Sequence, residues 1–118
     1  MQFALVSHAD DLTCIRCQGD VTQHDLIPGK DPVEELLGPI IFKRRTLLDL
    51  GNTSYIDSSG ISFLLGQHRK FQHAGGRLVL HSAPPTVMQV FKLLRMPQVL
   101  NIATDEADAR RVAEEAPA

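Results

Sequence analysis

The sequence predicts an α/β fold: a mixed β-sheet of about five strands flanked by about four α-helices, in a single domain spanning residues 1–118. From residue 46 onward, short apolar runs bounded by turn residues alternate with longer segments of helical periodicity, the pattern of βα units. Right-handed crossovers place the strands of such units parallel. We therefore expect three parallel later strands with an N-terminal hairpin added at one side.

The composition is that of a folded globular protein. Of 118 residues, 43% are hydrophobic and 22% charged, enough to bury a core without disulfides or a metal. A formal net charge of −2 gives no electrostatic reason to expect binding to nucleic acid. No apolar run approaches the roughly 18 residues that a membrane span needs, and the first residues do not resemble a secretion signal. We expect a cytoplasmic protein without direct membrane insertion.

The first half of the chain predicts a hairpin followed by a poorly patterned segment. Two short strands are expected, at Phe3–His8 and Leu12–Gln18, with a turn at 9–11. Residues 19–32 then form a polar loop. Asp31 can start a short helix that Gly38 and Pro39 interrupt. The apolar residues that follow, Ile40, Ile41 and Phe42, can belong to the core or to a contact surface, and we expect the core.

The second half is more regular. Asp57 is a good N-cap, and Gly75-Gly76 supplies the stop for the helix that it starts. Three apolar runs predict strands, and two further segments of helical periodicity predict helices. The remaining predicted elements are strands at Thr46–Leu50, Arg77–His81 and Val99–Ile102, a helix from Pro85 that ends before Pro97, and a terminal helix from Asp105 to Glu115.

Two cysteines, Cys14 and Cys17, form a CxxC within a predicted strand. Three positions along a strand put the side chains on opposite faces with Cα atoms roughly 10 Å apart, too far for a disulfide. His68 and His73 are the only histidines spaced to complete a zinc site, but on a helix their rings diverge. We interpret the cysteines as ordinary thiols and expect no metal site.

The most informative stretch is Asp57-Ser58-Ser59-Gly60, which precedes an amphipathic segment. The carboxylate of a capping aspartate accepts from the backbone N–H of Ser59 or Gly60, which leaves the Ser58 hydroxyl exposed at the first helical position. Gly60 has no side chain, so a partner's backbone or a nucleotide can approach it closely. The plainer interpretation is that these residues only start a helix, where small polar residues are common.

A nucleophilic serine is a third interpretation, and the sequence gives it little support. No GxSxG elbow is present, and the sequence places no histidine beside Ser58. Neither a P-loop nor a GxGxxG pattern occurs. We therefore expect no catalytic residues, no enzymatic activity and no cofactor.

Three stretches carry a resemblance to a known family. They are LLDLGNTSYIDSSGI at Leu47–Ile61, AGGRLVL at Ala74–Leu80 and VFKLL at Val90–Leu94. In their order and spacing they resemble the STAS domain of bacterial anti-sigma factor antagonists. The similarity is strong over residues 46–103 and loose over the first 20 residues.

The resemblance implies a STAS-like fold and a non-enzymatic partner-switching protein. In that family the unphosphorylated form binds an anti-sigma factor that is also a serine kinase, which frees the sigma factor. Phosphorylation of the serine directly after the aspartate, here Ser58, ends the binding, and a serine phosphatase restores it. Ser59 is the second choice for the phosphate. The implied partner-binding surface comprises Asp20, Thr22, Asp57, Ser58, Ser59 and Gly60.

The loop after the second strand departs from the family pattern. It keeps an acid at Asp20 but has Thr22 where a second acid is common, and residues 23–45 lack the usual long amphipathic helix. This difference keeps an alternative open. The chain would then be a STAS scaffold or sensor that binds a small ligand, a nucleotide or a transport-complex partner without phosphorylation.

Overall fold

A computed structural model describes residues 1–9 and 11–115. Its strands are β1 (Gln2–His8), β2 (Thr13–Gln18), β3 (Arg45–Asn52), β4 (Arg77–His81) and β5 (Asn101–Ile102). Its α-helices are α1 (Glu34–Leu37), α2 (Ser58–Ala74), α3 (Pro85–Leu93) and α4 (Glu106–Glu114). Short 3₁₀ helices occupy Gln23–Asp25, Pro39–Lys43 and Met96–Gln98. The predicted turn at 9–11 includes residue 10, which lies outside the described residues.

The five strands form one mixed sheet, in the order β1-β2-β3-β4-β5. β1 and β2 are antiparallel, whereas each later neighbouring pair is parallel. Leu48 in β3 pairs with Ile15 on one side and with Leu80 on the other. The predicted mixed sheet, with its hairpin at one edge and parallel strands after it, is confirmed.

Helices cover both faces of the sheet. The main core joins one face to α2 and α3, and its largest fully buried side chains include Leu48, Phe71 and Phe91. A smaller core joins the other face to α4 through Leu47, Val79, Ala109 and Ala113. Alternation along the central strands supplies both cores, because successive side chains of a strand point to opposite faces.

The two cysteines lie in different cores. Cys14 packs in the smaller cluster against α4, whereas Cys17 packs in the main core on the opposite face. Both are free thiols. The prediction that the CxxC spans the sheet rather than forming a disulfide is confirmed.

Two local predictions were wrong. Ile40 is 59% exposed although Ile41 and Phe42 are buried, because these residues form a 3₁₀ turn in which successive side chains point about 120° apart. The last strand begins at Asn101 rather than at Val99. The backbone amide of Val99 bonds back to the Met96 carbonyl in a 3₁₀ turn and so is not available to the sheet.

Asp31 fixes the irregular segment between β2 and β3 onto α2. Its carboxylate accepts hydrogen bonds from the backbone amides of Val33 and Glu34 at the start of α1. It also accepts from the buried amide of Gln67 and pairs with Lys70, both on α2. This one side chain both starts α1 and anchors the segment between β2 and β3 to α2.

The two buried histidines make folding sensitive to acid. Burial lowers the pKa of His68, helped by nearby Arg69, and burial also lowers the pKa of His81 although Asp49 opposes it. Below pH 6.5 the unfolded chain therefore takes up protons that the folded chain does not. We expect the free energy of unfolding to be greatest above that pH and to fall as the solution is acidified toward about pH 5.

Urea unfolding at several pH values measures this dependence. The variant His68→Gln should show a shallower fall in stability than the unmodified protein over the same range. A stability that stays constant between neutral pH and about pH 5 would contradict the prediction.

Candidate functional site

Asp57 starts α2 as the sequence predicts. Its Oδ1 accepts a hydrogen bond of 2.9 Å from the backbone N–H of Gly60, and its own carbonyl accepts from the N–H of Ile61. Ser58 is therefore the first helical residue. The cap satisfies one of the amides that a helix leaves unpaired at its amino end.

The same carboxylate also joins two loops. Its second oxygen accepts a 3.0 Å hydrogen bond from the backbone N–H of Gln23, which follows β2. Hydrogen bonds from the amides of Gly60 and Gln23 hold the pKa of Asp57 below its ordinary value. Asp57 is thus ionised at neutral pH and bridges the start of α2 to the loop after β2.

Val21 forms a second tie between the same two loops. Its N–H donates to the carbonyl of Tyr55 at 3.0 Å, and its carbonyl accepts from the N–H of Asp57 at 3.2 Å. An isolated parallel bridge joins Val21 to Ile56. Because Asp20 and Thr22 flank Val21 in the chain, the structure brings the predicted loop residues beside the predicted helix start.

Gly60 has a different role from the one that the sequence suggests. It is buried, and a Cβ at this position would lie 2.3 Å from the carbonyl oxygen of Val21 and 2.6 Å from a side-chain carbon of Ile56. The chain's own loop therefore occupies the space above the glycine. The prediction that the missing side chain admits a partner's backbone or a nucleotide was wrong.

The two serines differ in exposure. Ser58 is exposed, and its hydroxyl makes no hydrogen bond to any residue in the described part of the chain. Ser59 is half-buried and lines a cleft of about 530 Å³ between α2 and the segment before α1. An enzyme or partner approaching from solvent therefore meets the Ser58 hydroxyl first.

The two predicted residues of the loop after β2, Asp20 and Thr22, differ in their contacts. Asp20 is exposed, with no hydrogen bond or ion pair to the residues that the structure describes. Thr22 donates its hydroxyl to Asp25 at 2.8 Å, and Asp25 also pairs with the amino group of Met1 at 3.2 Å. The Thr22 hydrogen bond, followed by the Met1 ammonium, lowers the pKa of Asp25.

Four residues of this region were not singled out from the sequence. Gln23 and Val21 act through backbone groups, whose partners are set by tertiary contacts and leave no side-chain signal. Tyr55 and Ile27 are large apolar residues that are 57% and 59% exposed. Tyr55 is the only tyrosine of the chain and lies three residues before Ser58.

Neither a metal cluster nor a membrane helix accompanies this site in the described ranges, 1–9 and 11–115. No group of three or more His, Cys, Asp and Glu side chains there is arranged to hold a metal ion. No helix in that part of the chain is long and apolar enough to cross a membrane.

The fold and the capped helix start are those of an α/β domain of the STAS type. Residues 5–109 match the STAS domain family. The chain therefore belongs to the STAS domain family. An anti-sigma F factor antagonist of Lysinibacillus sphaericus is 26% identical over 115 residues, which cover 95% of each chain.

Solved structures share the fold at low sequence identity. A Thermotoga maritima protein provisionally assigned as an anti-sigma factor antagonist has a TM-score of 0.81 at 17% identity, covering 96% of this chain and 95% of that one. The anti-sigma factor antagonist SpoIIAA in its unphosphorylated form has a TM-score of 0.63 at 24% identity, covering 98% and 99%. Bacillus SpoIIAA in its phosphorylated form gives 0.57 at 24% identity, covering 93% and 98%.

Proposed function

We propose that this protein is an anti-sigma factor antagonist that switches partners through phosphorylation of Ser58. The observation that carries the proposal is the exposed Ser58 hydroxyl at the first position of α2, directly after the capping Asp57. In its unphosphorylated form the protein would bind an anti-sigma factor that is also a serine kinase. A serine phosphatase would reverse the modification.

The relatives support the general role. The Lysinibacillus protein is an anti-sigma F factor antagonist, and SpoIIAA is an antagonist with both an unphosphorylated and a phosphorylated form. The sequence Asp57-Ser58 also fits the family pattern on which the assignment of the modified serine rests.

A phosphate on Ser58 would act on the surface rather than on the fold. It adds about −1.5 to −2 charges at neutral pH, and the amino end of a helix tolerates a negative charge. α2 should therefore stay folded. The added charge and bulk would lie on the exposed surface at the start of α2, which Asp57 ties to the loop after β2, and a bound partner would have to desolvate them.

The same surface has the composition of a protein contact. Tyr55 and Ile27 offer apolar anchors, while Asp20 and Asp57 supply negative charge around Ser58. A partner surface with apolar pockets that buries the uncharged Ser58 hydroxyl would complement it, and a charged group at that position would have to be desolvated against neighbouring carboxylates. We propose Asp20, Thr22, Asp57, Ser58 and Ser59 as its contacts, in a single-domain cytoplasmic protein that has no enzymatic activity of its own.

Phosphopeptide mapping tests the site directly. Intact mass and peptide mapping of the protein purified from its native cells, with and without stress, should show one phosphate on Ser58 at variable occupancy. Ser58→Ala should abolish it and keep the anti-sigma factor bound in co-purification. Ser58→Asp, which carries part of the phosphate charge, should weaken that binding about tenfold or more.

Ser59→Ala is the matched control, because it removes the neighbouring hydroxyl one position along the same helix. It should leave phosphate incorporation at the level of the unmodified protein, and it should weaken binding far less than Ser58→Asp does. Phosphate that persists in Ser58→Ala and disappears in Ser59→Ala would show that the residue assignment is wrong. A chain that stays unmodified in every condition would favour the scaffold or sensor alternative.

A further inference from the structure

The cleft of about 530 Å³ that Ser59 lines opens beside the proposed phosphorylation site. One wall is the start of α2, where Ser59, Ser62 and Phe63 have the i, i+3, i+4 spacing of residues on one helix face. The other wall is the segment 25–32, which leads to α1. The volume falls within the range of roughly 300–1,000 Å³ that is typical of ligand sites. A group that fills this cleft therefore lies one residue from Ser58 along the helix.

The apolar side chains of the cleft are open to solvent. Ile27 is 59% exposed, Pro28 is exposed, and Leu26 and Phe63 are half-buried. Neither Leu26 nor Ile27 packs in the two cores of the described part of the chain. A recess that combines such accessible apolar side chains with a polar rim is typical of a binding site.

The charges around the cleft balance each other. The carboxylate of Asp25 pairs with the Met1 amino group at 3.2 Å, and both residues line the cleft. Lys30 and Glu35 are exposed and opposite in sign, and within residues 1–9 and 11–115 no further charged side chain lines it. A charged group entering the cleft would lose its hydration without meeting an excess of opposite charge. The lining therefore suits an uncharged apolar group.

The second wall is fixed at both of its ends. The Thr22 hydroxyl donates to Asp25 at 2.8 Å, and the Gln67 amide of α2 donates to Asp31 at 3.0 Å. Leu26 and Ile27 lie between these two anchored aspartates. A cleft that is already formed requires little ordering when it binds, which favours affinity.

We propose that this cleft receives an uncharged apolar side chain, of the size of leucine or phenylalanine, from the protein partner that contacts Ser58. The inference rests on the proposed partner switching and adds the point at which the partner is anchored. With its side chain in the cleft, the partner's surface covers the start of α2 and buries the Ser58 hydroxyl. A phosphate on Ser58 would have to lose its hydration in that contact, so it would prevent the side chain from entering.

Toluene, which reproduces the side chain of phenylalanine, is the probe for the cleft itself. Titration into the full-length ¹⁵N-labelled protein should give saturable NMR shifts of the backbone amides of Ile27, Ser59 and Phe63. The amide of Gly75, at the opposite end of α2, should not shift. Benzoate and benzylammonium, which add a negative or a positive charge to a similar ring, should bind more weakly. The absence of saturable shifts, or equal binding of either charged compound, would overturn the proposal.

Ile27→Ala tests the cleft in partner binding. It should weaken the binding of toluene, and it should weaken the binding of the anti-sigma factor that co-purifies with Ser58→Ala at least about fivefold. Ile40→Ala is the matched control, because Ile40 is also 59% exposed but lies outside the cleft. It should leave both affinities unchanged. Both variants should keep the thermal stability of the unmodified protein, since both side chains are exposed.

The cleft and the phosphorylation switch fail in different ways. If Ser58→Asp weakens the binding of the anti-sigma factor while Ile27→Ala and Ile40→Ala bind it equally, the switch stands and the cleft is not the anchor. If Ser58→Asp binds it as tightly as Ser58→Ala does, the switch itself is wrong. Toluene binding in a protein that retains no anti-sigma factor in either Ser58 variant would overturn the protein partner and indicate a small-molecule site.

Discussion

Gly60→Ala is expected to destabilise the protein by about 3 kcal/mol, the upper end of what overpacking usually costs. The new methyl group would lie 2.3 Å from the carbonyl oxygen of Val21, and backbone cannot move aside as a flexible side chain does. Relief of the clash requires the loop after β2 to separate from the start of α2. Chemical denaturation measures the loss of stability, and hydrogen exchange at the Gln23 amide should report the opened loop.

Gly66→Ala provides the matched comparison, because it makes the same substitution in the same helix. Apart from its chain neighbours and the nearby backbone of α2 itself, nothing lies within 4 Å of a Cβ at Gly66. Alanine should therefore stabilise the protein by roughly 0.5–1 kcal/mol, the usual gain from replacing glycine in a helix interior. Similar effects from the two substitutions would show that contact with Val21 does not govern this position.

Asp31→Ala is expected to cost about 2–4 kcal/mol. Burial alone would raise the pKa of Asp31, but hydrogen bonds from Lys70, Gln67 and the Glu34 amide outweigh burial and lower it. Alanine would remove the acceptor of the buried Gln67 amide, whose own oxygen already lacks a partner among the described residues. It would also leave the first amides of α1 uncapped.

Lys70→Ala separates the ion pair from the rest of this network. Lys70 is half exposed, so its pairing with Asp31 and its position 5.7 Å above the Phe42 ring should together contribute only about 1 kcal/mol. Urea unfolding of both variants gives the comparison. A loss in Lys70→Ala as large as in Asp31→Ala would mean that the ion pair, rather than the hydrogen bonds to Gln67 and α1, holds the segment.

The parts of the fold that were predictable are those whose signals are local. Arg77–His81 is bounded by glycines and by a polar turn, and the strand has the predicted bounds. α2 begins after Asp57 and ends at Gly75, which adopts the left-handed conformation of a helix C-cap. Each of these features depends on residues within one or two turns of the boundary, and a sequence displays such residues directly.

The parts that were not predictable depend on partners far along the chain. Asp31 reads locally as a helix start, but its contacts with Gln67 and Lys70 span 36 and 39 residues. From the sequence, Gly60 is expected to leave room for a partner, because the sequence does not show that the Val21 backbone fills the space beside it. The candidate site likewise combines a local feature with a long-range contact. Its capping geometry was predictable from Asp57, whereas the bridge to Gln23 required the loops to be seen together.

The strands lie across the sheet in the same order as in the chain, which is the order in which the ribosome makes them. Since its strands run β1-β2-β3-β4-β5 across the sheet, each new strand adds to an edge already present, and none has to insert between two earlier ones. A growing chain therefore never has to break a strand pairing in order to admit a later segment. Each strand can therefore pair with the one made just before it, and none has to wait unpaired for a later segment in order to join the sheet.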